Sequence, residues 1–232
     1  MNSTTKAGLI ALFLLSSFTY GQLPPGQNEQ DCVHALPVCQ MTFYQAFSYQ
    51  GPGKIRDEIN PHNSCLLTGE QNVWYTFTVQ QAGELCFSII PNDSMDDYDW
   101  ALFDLTHSYC GDIFGDSALE VACNYHTASP SCRGITGANG LNQGSCAGLN
   151  EACLPVYQGQ TFYLNVSNFS ASAQGDTRDF SASTADILDN QAPSLTGLTH
   201  LCGSEWKLDF SEEVLLSSLA ISDLKMEDRL GR

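Results

Sequence analysis

Basic residues are scarce in this chain: 9 Lys and Arg stand against 26 Asp and Glu, giving a formal charge of -17 at pH 7. Such a surface repels phosphate backbones, which excludes nucleic acid as a partner. Long apolar runs are missing beyond the first residues, so nothing after position 21 is built to span a bilayer core of about 30 Å. There is no CxxC, and with it go a zinc ribbon and a thioredoxin-type redox site. Neither H-E-x-x-H nor G-x-S-x-G occurs, which leaves no metalloprotease helix and no nucleophile elbow. Helical periodicity is nearly absent too, and the short stretch Glu212 to Leu219 is the one candidate helix.

What is present begins with an export signal. Lys6 gives a positive start, Ala7 to Leu15 is apolar, and the small residues Thr19 and Gly21 precede a cut at Gln22. Residues 1–21 are therefore read as a signal peptide, with the mature chain secreted or at the cell surface and without a membrane span. Losing Lys6 makes the mature chain one unit more acidic. All ten cysteines lie beyond the signal, and an even number in an exported chain points to disulfides. Ten cysteines allow about 945 pairings by simple counting. Short sequence separation favours Cys32–Cys39 and Cys110–Cys123 as first choices.

The patterning is that of strands. Val73, Tyr75, Phe77 and Val79 share one face, the turn Gln80 to Gly83 follows, and Glu84 to Ile90 returns, which predicts a hairpin. Further strands are expected at 99–105, 119–125, 160–169 (with Phe162, Leu164 and Val166 inward) and, more weakly, 179–184. Residues 126–155 are rich in Gly, Ser and Asn and read as a long loop ordered by Cys132, Cys146 and Cys153. The fold class is all-β: an antiparallel jelly-roll or β-sandwich with disulfides over residues 22–187. A linker is expected at 188–194. Residues 195–232, where Trp206, Leu208 and Phe210 alternate, read as the incomplete start of an immunoglobulin-like domain, since roughly 40 residues fall short of the ~100 such a domain needs.

One stretch carries unusual chemistry. Residues 92–106 read NDSMDDYDWALFDLT, with Asp93, Asp96, Asp97, Asp99 and Asp104 among strand-forming residues. Carboxylates at this density repel one another unless solvent or a cation separates them. Ca²⁺ takes six to eight oxygens and tolerates irregular loops. Asp93, Asp96, Asp97 and Asp99 with Asn92 could hold one Ca²⁺; a solvated acidic loop is the simpler alternative. Asp97 and Asp99 share a strand face with Phe103, and Asp104 points to the other face, which makes it the weakest ligand.

The stretch Asp97-Tyr-Asp-Trp-Ala-Leu-Phe-Asp104 resembles the acidic alternating strand of pre-peptidase C-terminal domains, which are jelly-roll sandwiches. Asp31-Cys32 with Pro37-Val-Cys39, Asn63-Ser-Cys65, Gly69 to Val79, Val121-Ala-Cys-Asn124 and Gly159 to Ser170 extend the likeness. Together they resemble the N-terminal domain of secreted gliding-motility-associated proteins exported by type IX secretion, over about residues 30–187. Leu208-Asp-Phe-Ser-Glu-Glu-Val214 is similar to a strand of bacterial immunoglobulin-like domains, with Glu213 where Pro is usual. The resemblance implies a modular surface protein, and calcium at Asp97, Asp99 and Asp104.

Catalytic readings fare poorly. Gln143-Gly-Ser-Cys146 is partly similar to the approach to a papain-like nucleophile, but Ala147 to Asn150 breaks the pattern, and Cys146 reads as a disulfide partner. The five His are scattered, and Trp74 and Trp100 sit where strand packing explains them. The chain is not expected to be an enzyme. Two functions remain: a non-catalytic binding or structural module contacting an extracellular protein or glycan, or an accessory domain of a secreted hydrolase whose catalytic part lies elsewhere.

Overall fold

The computed structural model describes residues 28–66, 71–170, 172, 174–188, 195–200 and 206–210. The expected signal peptide, the helix at 212–219, most of the linker, Cys202 and most of the C-terminal piece lie outside the described residues.

The fold is all-β, as the alternation predicts. In chain order the strands are β1 (Leu36–Pro37), β2 (Thr42–Gln45), β3 (Asn72–Thr78), β4 (Gly83–Leu85), β5 (Ser88–Pro91), β6 (Tyr98–Asp104), β7 (Glu120–Asn124), β8 (Gly137–Ala138), β9 (Asn150–Glu151), β10 (Leu154–Val156), β11 (Thr161–Asn168), β12 (Asp176–Asp179), β13 (Leu195–His200) and β14 (Trp206–Phe210). The main sheet runs β1-β3-β11-β6-β7, and a second has the order β2-β12-β5. Strand β4 pairs with β10, β8 with β9, and β13 with β14.

Strands β3 and β5 do not form the expected hairpin. Strand β3 pairs antiparallel with β11 and parallel with β1, whereas β5 pairs with β12. The turn at Gln80–Gly83 therefore carries the chain from one sheet to the other. The face prediction survives this correction. Val73, Tyr75, Phe77 and Val79 join Tyr98, Trp100, Leu102, Phe162, Leu164 and Val166 from the main sheet, and Phe87, Ile89 and Phe180 from opposite, in one buried core. Phe87 meets Trp100 edge-on at 4.9 Å, and Phe77 meets Phe180 likewise at 5.9 Å. Gly83 is required at the crossing, because a Cβ there would meet the Ala185 backbone nitrogen at 2.5 Å.

The main sheet is covered on its other face as well. Cys32, Leu66, Trp74, Ala101, Phe103, Leu105 and Ile113 form a second core there. Its cover is irregular chain from residues 28–35, 59–66 and 106–119, held down by Cys32–Cys110 and Cys65–Cys123. Burial on both faces explains why β6 and β11 are nearly continuously buried instead of alternating.

The disulfides correct the expected pairing. Cys32 joins Cys110 and Cys65 joins Cys123, so neither Cys32–Cys39 nor Cys110–Cys123 forms. Cys86–Cys153 and Cys132–Cys146 complete the four. Proximity along the chain is a poor guide here, since three of the four bonds close separations of 58 to 78 residues. They tie loops to the sheet and do not close local turns. Cys39 is exposed and has no disulfide partner among the described residues.

Strand β12 replaces the weak strand expected at 179–184. Its sequence Asp-Thr-Arg-Asp holds no apolar side chain, yet it lies at the centre of the second sheet. The inward positions are Asp176 and Arg178, which form a 2.6 Å ion pair at 1% and 3% side-chain exposure. Arg178 also stacks over the Tyr75 ring at 4.7 Å and donates to Gln45 Oε1.

Candidate functional site

The structure separates the five aspartates that the sequence crowds together. Asp93 sits in the turn before β6; its Oδ1 accepts the Met95 N–H and its Oδ2 the Gln174 side-chain N–H. Asp96 is buried and accepts from the Ser172 hydroxyl at 2.5 Å. Asp104 lies at the far end of β6, about 17 Å from Asp99 at strand rise, where it accepts from Thr106 and from Gln160 Nε2. Asp97 accepts the Ala128 N–H at 2.8 Å through Oδ1. Asp97 and Asp99 stand two residues apart at the start of β6, and the Asp97 charge acts on Asp99. Burial, and then the Asp97 charge, pushes the Asp99 carboxyl up to about 7. Burial also raises Asp97, although the Ala128 N–H opposes the shift.

The neighbours of this pair are amides that the sequence pattern does not single out. Strand registers place Ser167 between Asn72 on β3 and Asp99 on β6, in one row across the sheet. The next row holds Trp74, Asn165 and Ala101. All these side chains point to the disulfide-covered face, because Val73, Val166 and Trp100 between them point to the main core. Asn165 is fully buried, and neither of its side-chain polar atoms has a hydrogen-bond partner. Asn72 Oδ1 and Asp99 Oδ1 are likewise buried without a partner, whereas Trp74 Nε1 faces the Glu58 carboxylate. Four such atoms on one patch is unusual, since buried polar groups are nearly always satisfied. Asn165 and Asn168 are also too buried to serve as glycan acceptors in the folded chain.

Elsewhere, Glu58 accepts the Cys32 N–H at 2.8 Å, and burial still raises its carboxyl to about 7. Cys65, Glu120 and Cys123 stand at metal-ligand spacing, but both sulfurs are consumed in the disulfide and Glu120 accepts from Ser64 and the Cys65 N–H. Cys146 is bonded to Cys132, as its sequence context suggested. A surface cleft of about 400 Å³ opens beside Asp93, lined by Asn92, Ser94, Arg133 and Gln174 over Ile90 and Pro91. Arg133 adopts a left-handed backbone at φ 59° and is exposed there.

No helix among the described residues is long and apolar enough to cross a membrane. No known protein family, curated protein or solved structure matches this chain.

Proposed function

We propose that the chain is a non-catalytic extracellular module, secreted or held at the cell surface. It binds or spaces partners in the adhesin-like manner of the gliding-motility-associated proteins its motifs resemble. The observation that carries this reading is the set of four disulfides, three of which close separations above 50 residues and clamp irregular loops onto a sheet. Such cross-links persist in oxidising compartments outside the cytosol, and they hold surface loops rigid, which lowers the entropic cost of binding.

Two surface features support a binding role. The cleft beside Asp93 offers donors and acceptors from Asn92, Arg133 and Gln174, the kind of polar lining that recognises sugar hydroxyls. Large aromatics stand exposed on the scaffold, with Tyr44 at 71%, Tyr109 at 79% and Tyr157 at 67%; aromatic rings supply contact area at small entropic cost.

The test is retention of the purified oxidised chain on immobilised chitin, cellulose, xylan and peptidoglycan and on whole bacterial cells, with released reducing ends and cleaved peptides measured in parallel. Retention without bond cleavage, weakened by Arg133→Ala, is the expected result. Turnover of any of these polymers, or retention on none of these surfaces, overturns the reading.

A further inference from the structure

We propose that the hairpin β13–β14 folds back onto an apolar groove at the β1 edge of the main sheet and is fixed there by a fifth disulfide, Cys39–Cys202. The occupant of the groove is thus a segment of this same chain.

The groove comes first. It has a volume of about 380 Å³, and Val33, Val38, Phe77 and Ile187 line it. Val38 is tied to β3, because its N–H donates to the Thr76 carbonyl at 2.9 Å. The next residue is Cys39, exposed and without a disulfide partner among the described residues. Ile187 lines the same groove, and it is anchored there. The Gln80 and Gln81 N–H groups donate to the Asp186 carbonyl at 2.7 and 3.2 Å, and the Leu188 N–H donates to the Asp186 side chain. The seven steps from Leu188 to Leu195 span at most about 25 Å. So short a tether keeps the hairpin at high effective concentration over the groove.

The hairpin needs a cover, since two strands alone are marginal in water. Its register shift pairs Leu195 with Phe210 and Leu198 with Leu208, positions two apart on β14. The two leucines therefore fall on one face although they are three apart in sequence. Both are exposed. An apolar face that lacks a cover is tethered beside an apolar groove of matching chemistry.

Cysteine arithmetic points to the same pairing independently. The four disulfides use eight of the ten cysteines, and the two that remain are Cys39 and Cys202. The pairing of His200 with Trp206 puts Cys202 in the connection between β13 and β14. Seated against Val33 and Val38, the hairpin brings this connection to Cys39. Both thiols then lose their protons. One sulfur attacks the disulfide of an external thiol oxidoreductase to give a mixed disulfide, and the other displaces it. The Cys39–Cys202 bond forms, and two electrons leave with the oxidoreductase as its dithiol.

The experiment is peptide mapping of the purified oxidised chain, alkylated in denaturant and digested without reduction. The expected result is no alkylated cysteine and a linked peptide joining Cys39 to Cys202. Alkylation of both residues, or a link from Cys39 to a second copy of the chain, overturns the proposal. Seating in the groove is read separately, by equilibrating the chain with glutathione redox buffers. Val33→Asp and Leu198→Asp, both at exposed positions, should each lower the effective concentration of Cys202 at Cys39 by at least about tenfold. Leu141→Asp, exposed in the loop between β8 and β9, should leave it unchanged. If neither Val33→Asp nor Leu198→Asp moves the midpoint, the bond closes without the groove and the docking is wrong.

Discussion

Asp99 shows how a single residue makes the fold sensitive to pH. Its carboxyl titrates near 7 in the folded chain because burial and Asp97 disfavour the charge, whereas an unfolded Asp titrates near 4. Between about pH 4 and 7 the folded state therefore holds a proton that the unfolded state has released, so this group's contribution to stability falls as pH rises through that window. In chelator, Asp99→Asn is expected to flatten the decline in melting temperature between pH 4 and 7 and to raise it by a few degrees at pH 8. A decline as steep as wild type would show that Asp99 ionises freely. The Asp176–Arg178 pair has the opposite character. Removing the carboxylate in Asp176→Ala leaves a guanidinium at 3% exposure without its ion-pair partner, a change that costs about 3–5 kcal/mol in buried pairs and is measurable by urea unfolding. Legibility also divides at this scale. Asp97 and Asp99 were readable, because acid in an alternating strand is conspicuous. Asn72 and Asn165 were not, because an amide at an outward strand position looks like ordinary surface until a disulfide-tied cover buries it.

At the scale of elements, periodicity located β3, β6, β7 and β11 to within a residue or so at each end, and it assigned the inward faces of β3 and β11 correctly. Pairing was beyond it. Adjacent strands with a Gly-containing turn suggest a hairpin, but the same turn serves a sheet-to-sheet crossing when each strand finds a longer partner elsewhere. Strand β12 was misplaced for a different reason: its inward positions hold charge, and only the neutralising geometry of Asp176 with Arg178 makes that tolerable. Cysteine pairing was equally hidden, since sequence separation says nothing about which loops fold back over the sheet. Those separations do predict stability. In the chain-entropy account, the Cys32–Cys110 bond with separation 78 stabilises by about 4.5 kcal/mol and the Cys132–Cys146 bond with separation 14 by about 3. Replacing both cysteines by Ser in each pair should therefore lower stability more for the first, as read from denaturant midpoints at unchanged m-value. Equal losses would mean that the covering loops stay ordered without their staple.

The whole molecule carries -17 at pH 7, and this charge acts on the fold differently from an ion bound at one site. Diffuse repulsion among surface acids favours the expanded state and is screened by any salt. As the Debye length falls from ~30 Å at 0.01 M to ~3 Å at 1 M, most surface pairs cease to interact. In chelator, the melting temperature should therefore climb with NaCl and level off near ~0.5 M, with KCl giving the same curve. The calcium expected from the sequence at Asp93, Asp96, Asp97 and Asp99 is checked in the same series: an ion held directly by carboxylates keeps its effect on the melting temperature at ~0.5 M NaCl. If high salt erases the Ca²⁺ effect, the ion is acting as a general counter-ion to an acidic surface. If the effect persists and vanishes in Asp99→Asn, the acidity of this chain divides into a diffuse part that resists folding and a local part that binds an ion.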